Sequence, residues 1–142
     1  MRYTYYGCTN LTEPIFGSKV TEAIGTYGAT GVEEPICPDY ITYFGAYPNC
    51  QKITTAICGN GVIHMYEAYS NCKNLTKAAC GDRVESMLNT YAGCVNLTDA
   101  VCGPNVIKME NTYANCIGLT AAVCGDKVVD MLYTYQGCEQ LT

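Results

Sequence analysis

Apolar residues return along this chain at a fixed interval of 22 residues. One series of cysteines with this spacing is Cys58, Cys80, Cys102 and Cys124, and a second is Cys50, Cys72, Cys94, Cys116 and Cys138. Between the two series, each repeat has a Val, a Met three residues later and a Tyr four residues after the Met, as in Val84, Met87 and Tyr91. Self-similarity at a fixed period of this length is typical of proteins built from stacked repeats.

The first part of the chain follows the same pattern less strictly. Leu11-Thr12 stands in register with the Leu-Thr pairs that follow the later cysteines, and Phe16 occupies a cysteine position. The repeat is therefore degenerate over 1–50 and regular over 51–142, and no linker or second domain remains. We predict a single domain over 1–142 with about six repeats.

The spacing within one repeat predicts a short strand followed by a turn. Leu97-x-x-Ala100-x-Cys102 matches the L-x-x-L-x-L strand segment of a leucine-rich repeat, and Gly103 is expected to end that strand. The apolar residues of 106–113 are spaced by three and four, which favours an irregular or 3₁₀ turn on the opposite side. The predicted fold is a β-rich solenoid of the α/β type, with parallel strands on its concave face and turns on its convex face.

The repeat resembles the BspA-like, or Treponema-type, leucine-rich repeats. Val84 and Met87 match the apolar pair of that family, Thr90-Tyr91 matches its Ala-Phe, Cys94 matches its Cys, and 97–103 matches its strand. The departures are Tyr for Phe, Ala for Ile, and Cys-Gly for Ile-Pro. The resemblance covers essentially the whole chain. It implies a right-handed solenoid that serves bacterial surface adhesion and partner binding, and it carries no catalytic residues.

The outward position of the predicted strand is apolar in repeat after repeat. Contiguous apolar surface commonly marks an interaction site, although β-branched residues there also reflect ordinary strand propensity. We therefore predict a concave binding face with varied residues beside an apolar stripe. The stripe consists of Ile15, Ile36, Ile57, Ala79, Val101 and Val123, and the varied residues are Thr55, Lys77, Asp99 and Ala121.

The eleven cysteines allow three interpretations, of which buried free thiols is the first. A disulfide framework requires an even number of cysteines and close pairing. Neighbouring rungs of a parallel ladder lie roughly 4.8 Å apart, whereas a disulfide holds its Cβ atoms about 3.8 Å apart. A zinc site usually has a C-x₂₋₄-C pair, and the repeats contain none. Free thiols in turn favour a reducing or anaerobic setting.

Two further residue types help to separate scaffold from surface. His64 is the only histidine, and it stands where other repeats have Ser86, Lys108 and Asp130, so we expect it to be an exposed surface residue without a catalytic role. The regular tyrosine column is expected to be core, and four tyrosines off that column are candidates for exposed contacts: Tyr40, Tyr43, Tyr66 and Tyr133.

Composition and motifs exclude several classes of function. A formal charge of −5 with scattered basic residues argues against nucleic-acid binding. We find no apolar run of membrane-spanning length, no secretory signal, and no motif for an enzyme, cofactor or metal. We therefore expect a non-catalytic module that binds a protein or a glycan. The alternative is a structural spacer or assembly unit of a larger bacterial or phage-associated protein. Because terminal repeats lack polar caps, self-association through the ends or the apolar stripe is a further expectation.

Overall fold

The computed structural model describes all 142 residues and consists of strands, bridges and turns without a helix. Four strands form one parallel sheet in the order β1-β2-β3-β4. They are β1 (Glu22–Ile24), β2 (Tyr43–Gly45), β3 (His64–Tyr66) and β4 (Ser86–Leu88). Isolated parallel bridges extend this ladder, from Arg2 to Ile24 at one end and from Ser86 through Lys108 to Asp130 at the other. The expectation of a β-rich fold with parallel strands is confirmed. The structure contains no helix that could span a membrane.

Each strand contributes one buried residue at its centre, and these residues lie in register. Ala23 pairs with Phe44, Phe44 with Met65, and Met65 with Met87, and all four are fully buried. Side chains alternate between the two faces of a strand, so the residues on either side of each buried centre point outward. Both the sheet and its outward face therefore follow from the Val-x-x-Met part of the repeat.

This position of the sheet corrects the sequence prediction. Strands were expected in Leu97–Cys102 and its equivalents, and turns in Val106–Tyr113. Instead, β4 and the other strands occupy the segment predicted to turn, and the Leu-Thr segment has only isolated bridges that join Thr55, Lys77 and Asp99. Both segments have apolar spacings compatible with a strand. The backbone hydrogen bonds decide between them.

Tyrosine hydroxyls explain why the Leu-Thr segment does not continue as a strand. The Ala78 N–H still donates to the Asp99 carbonyl of the next repeat at 2.9 Å. At the following residue, the Tyr91 hydroxyl accepts from the Ala79 N–H at 3.0 Å and donates to the Ala79 carbonyl. The phenol crosses the interior of the repeat and takes the place of a neighbouring strand as backbone partner. The same hydrogen bonds join Tyr69 to Ile57, at 3.0 and 2.9 Å.

The tyrosine column is the centre of the core, as predicted. Tyr47, Tyr69, Tyr91 and Tyr113 have no exposed surface, and their rings stack between successive repeats with centroids 5.7–5.9 Å apart. Residues at αL backbone angles flank Tyr69, Tyr91 and Tyr113 on both sides, two positions before and two after, as Asn89 (φ 52°) and Gly93 (φ 76°) do for Tyr91, whereas Tyr47 has one only after it. Asn and Gly tolerate that conformation best. The backbone can therefore turn on either side of a buried ring.

The cysteine series that begins at Cys50 completes the core. Cys50, Cys72, Cys94 and Cys116 are fully buried, which confirms their predicted place, and each thiol donates to a tyrosine carbonyl of the preceding repeat, as Cys94 does to Tyr69 at 3.1 Å. Thr30 takes the same position in the degenerate part, but its hydroxyl donates to the Tyr27 carbonyl of its own repeat, at 2.7 Å. All eleven cysteines are free thiols.

The cysteine series that begins at Cys58 is half-buried up to Cys102 and exposed at Cys124. Its members explain the glycine that follows each of them. The Cys80 sulfur lies 3.7 Å from the Met87 sulfur of its own repeat, and it also covers Gly103 of the next repeat. A Cβ added to Gly103 would stand 2.8 Å from the Cys80 sulfur and 2.9 Å from the Gly81 carbonyl oxygen. Gly103 therefore permits the close approach of successive repeats, in addition to the predicted turn.

We predict that Tyr69→Phe destabilises the chain by about 2 kcal/mol, because it leaves the Ile57 N–H and carbonyl without their buried partner. The control is Tyr133→Phe, since Tyr133 is 56 % exposed and its hydroxyl should contribute little. The measurement is the free energy of unfolding in urea. Equal stabilities of the two variants would mean that the hydroxyl column does not hold the irregular segment in place.

Candidate functional site

The predicted apolar stripe is present as a column, but it does not lie on a sheet. Ile15 and Ile36 are exposed, and Ile57, Ala79, Val101 and Val123 are half-buried. Their backbones bond to the tyrosine hydroxyls that cross the interior. The predicted varied residues beside the stripe, which are Thr55, Lys77, Asp99 and Ala121, are all exposed. The column is therefore an irregular edge of the molecule, whereas the outward face of the sheet belongs to other residues.

The outward face of the sheet has a residue of changing type at each rung. The series runs Glu22, Tyr43, His64, Ser86, Lys108 and Asp130. The sequence correctly identified the slot of His64 as one that varies. However, His64 is half-buried rather than fully exposed, and its ring lies 4.4 Å from the Tyr43 ring, centroid to centroid.

Aromatic side chains enclose a groove on this face with a volume of about 470 Å³. Tyr43, His64 and Tyr66 line it from the strands, and Tyr3 lines it from the N-terminal segment. Tyr43 and Tyr66 are exposed, as the sequence predicted. The Tyr3 ring packs against Gly25 (φ 55°), where an added Cβ would overlap the ring. Gly25 therefore provides both the turn and the space that place this ring beside β1.

A second groove of about 480 Å³ adjoins the first and shares Tyr3 with it. Its walls are mostly polar and include Asn71 and Asn89. Both asparagines adopt αL backbone angles, with φ 56° and 52°. Their side-chain amides make no hydrogen bond to the rest of the protein, and the same holds for the His64 imidazole and the Ser86 hydroxyl. The two grooves together thus combine aromatic faces with donors and acceptors that are free to bind a ligand.

Charge near the grooves is small and largely balanced. The Arg2 guanidinium, which lines the first groove, lies 3.2 Å from the Glu22 carboxylate. Glu67 lines the second groove, and it also raises the pKa of the neighbouring Tyr66 hydroxyl, mainly through its negative charge. The site therefore offers hydrogen bonds and aromatic surface rather than a strong electrostatic field.

The residues with chemical reactivity do not assemble into a catalytic group. Burial raises the pKa of Cys80 and of Cys116 to about 12, and a thiol that remains protonated at neutral pH is a poor nucleophile. His64 has no hydrogen-bonded carboxylate or thiol. No group of three or more His, Cys, Asp or Glu side chains is close enough together to hold a metal ion.

The sequence identified some residues that line the two grooves but did not predict the grooves themselves. It singled out Tyr43 and Tyr66 as exposed contacts and His64 as a residue of a variable slot, and it missed Tyr3, Asn71 and Asn89. Tyr3 stands four residues before Gly7 in the first repeat, at the position that Gly25 occupies in the second repeat. This register is the signal that could have found Tyr3. No protein-family model, no curated protein and no solved structure matches this chain.

Proposed function

We propose that this chain is a non-catalytic binding module whose repeats form a right-handed leucine-rich-repeat solenoid. One observation carries the proposal: the apolar positions that recur form the buried core, and positions that vary lie at the surface. The Tyr91, Cys94 and Leu97 columns are fully buried in the regular repeats before the last one. Thr55 and Lys77, whose side chains differ from repeat to repeat, are exposed and lie in register along one edge. Such a scaffold displays side chains at fixed spacing for a partner.

The ligand of this module is a protein or a glycan. Its surfaces for contact are the apolar column with the varied residues beside it and the aromatic face of the sheet. The resemblance to BspA-like repeats supports a role in adhesion or partner binding within a larger bacterial or phage-associated protein.

The test is binding of the purified chain to an array of glycans and purified proteins. We expect retention of at least one component, with affinity reduced about tenfold or more by the double variant Ile57→Lys and Val101→Lys, because the new charges disrupt apolar contact along the column. The matched control is Val129→Lys, at a position that is 82 % exposed outside the column. Retention unaffected by the double variant would place the contact elsewhere on the module. Failure to retain any component would contradict a binding function.

A second candidate function, assembly, is favoured by the last repeat of the structure. Met131 is 41 % exposed, whereas Met87 and Met109 in the same column are buried. The N–H groups of Tyr133 and Tyr135 have no acceptor, although the equivalent groups of earlier repeats donate to the next repeat along. The first repeat has the complementary groups, since the Arg2 and Thr4 carbonyls accept no hydrogen bond.

A further repeat of the same kind would satisfy this edge and cover Met131. Sedimentation distinguishes this function from ligand binding by a single copy. Association that depends on concentration and is abolished by Met131→Lys would support assembly.

A further inference from the structure

We propose that the paired grooves around Tyr3 bind a neutral oligosaccharide. One sugar ring lies against Tyr43, Tyr66 and His64, and the neighbouring residue of the oligosaccharide lies beside Asn71 and Asn89. This inference rests on the proposed binding function and assigns both the class of its ligand and the position of its site.

The aromatic side chains of the groove have no role in the repeat scaffold. Tyr43 and His64 occupy the same slot in successive repeats, and the following repeat has Ser86 in that slot. The slot of Tyr66 holds Leu88 in the following repeat. Neither slot requires an aromatic residue for the strands to pair. Tyr43 and Tyr66 nevertheless remain 43 % and 38 % exposed beside each other. Exposed aromatic surface that the fold does not need is a mark of recognition.

Contacts within the protein hold these rings in place before a ligand arrives. The Tyr3 N–H donates to the Ile24 carbonyl at 2.8 Å, which ties the N-terminal segment to β1. The Tyr3 ring then lies against Gly25 and 5.9 Å from the Tyr6 ring. Tyr43 and His64 fix each other through their ring contact. Rings that are already ordered lose little conformational entropy on binding.

The polar groups favour a sugar over a purely apolar ligand. A sugar ring has a C–H face, which packs on an aromatic ring, and hydroxyls that both donate and accept hydrogen bonds. The free amides of Asn71 and Asn89 supply one donor group and one acceptor each, and the Ser86 hydroxyl adds another of both kinds. Each groove also falls within the usual volume range of small-molecule sites, about 300–1,000 Å³.

The charges favour a neutral ligand. An anionic ligand would meet Glu67 in the second groove, and the one nearby cation, Arg2, is already paired with Glu22. A quaternary ammonium ion is the usual guest of an aromatic cage, but in this groove the charge of Arg2 is balanced by Glu22, so the groove offers no net negative charge to such a cation. The two grooves are also longer than such a compact cation needs.

His64 provides a direct observation of the site, because it is the only histidine in the chain. Its two ring C–H signals in a ¹H–¹³C NMR spectrum of the full chain are unique. The probes are four neutral tetrasaccharides: cellotetraose, xylotetraose, mannotetraose and chitotetraose. We expect at least one of them to shift the His64 signals in a saturable way. Tyr43→Ala should reduce that affinity about tenfold.

The control variant is Tyr40→Ala, since Tyr40 is 39 % exposed, which nearly matches Tyr43, but lies outside the groove. Tyr66→Ala replaces Tyr43→Ala if the latter does not fold by circular dichroism. The proposal is overturned if no tetrasaccharide shifts the His64 signals, including the case in which choline or a proline-rich peptide does so instead.

The proposal and the binding function fail in different ways. Saccharide binding that persists in Tyr43→Ala but is lost in the Ile57→Lys and Val101→Lys double variant would overturn the groove and leave the binding function intact. Binding to neither the array nor the tetrasaccharides would overturn both.

Discussion

Raising the pH from 9 to 12 under reducing conditions is expected to unfold the chain cooperatively. Burial raises the pKa of nine of the eleven cysteines. Cys116, for example, changes from an ordinary pKa of 9.0 to about 12. Burial also raises the pKa of the core tyrosines Tyr69, Tyr91 and Tyr113.

The direction of the effect follows from proton binding in the two states. Above the ordinary pKa, the unfolded chain loses thiol protons that the folded chain retains, so the free energy of unfolding falls as the pH rises. The stability contributed by Cys116 is fully present below pH 9 and is lost as the pH rises through about 12. Because several buried thiols titrate in the same window, the total effect exceeds that of any single substitution.

Circular dichroism and urea unfolding across this pH range measure the effect, and two cysteine variants assign it. Cys116→Ala should make the fall of stability with pH less steep by up to about 1.4 kcal/mol per pH unit, which corresponds to one titrating proton. Cys8→Ala is the control, because Cys8 is exposed. A chain that stays folded at pH 12, or equal slopes for the two variants, would contradict the assignment of buried thiols.

The repeat and its core were predictable because apolar spacing reports burial. The columns of Leu97, Cys94 and Tyr91 were read from the sequence and are buried in the structure. In the degenerate part of the chain, Thr30 occupies the position of Cys94 and is likewise buried. Burial of this kind requires only that successive repeats pack in register. That requirement appears in the sequence as the regular spacing of apolar residues.

The position of the strands was not predictable from the same pattern. Leu97-x-x-Ala100 and Val84-x-x-Met87 have the same spacing of apolar residues, so periodicity alone does not separate a strand from an irregular segment. The difference lies in the tyrosine hydroxyl. A hydrophobic pattern treats Tyr91 as equivalent to Phe, yet its O–H engages the Ala79 backbone and removes that residue from the ladder.

The candidate site was only partly predictable because it joins residues of different repeats. The spacing from Glu22 to Tyr43 and from Tyr43 to His64 is 21 residues, whereas it is 22 from His64 to Ser86. This shortened spacing obscures the slot in the degenerate part of the chain. The contribution of Tyr3 depends on the turn at Gly25, which apolar periodicity does not report.

Met87→Ala is expected to destabilise the chain by about 3 kcal/mol, since a buried Met is replaced by a side chain that leaves a cavity. Met87 is fully buried, pairs with Met65 across the sheet and lies beside the Cys80 sulfur. Because Met87 pairs with Met65 on one side and its carbonyl accepts from Thr112 on the other, this cavity weakens the contacts to both adjoining repeats at once. The measurement is the free energy of unfolding in urea at neutral pH.

The matched control is Met131→Ala, which changes the same residue type in the same column of the last repeat. Met131 is 41 % exposed, so a monomeric chain should lose less than about 1 kcal/mol there. The ratio of the losses of unfolding free energy in Met87→Ala and Met131→Ala therefore shows whether the last repeat is uncovered in solution. Equal costs that persist on dilution would contradict the exposed end seen in the structure. If the cost at Met131 instead grows with protein concentration, another copy covers this end, and the assembly function is favoured over an isolated module.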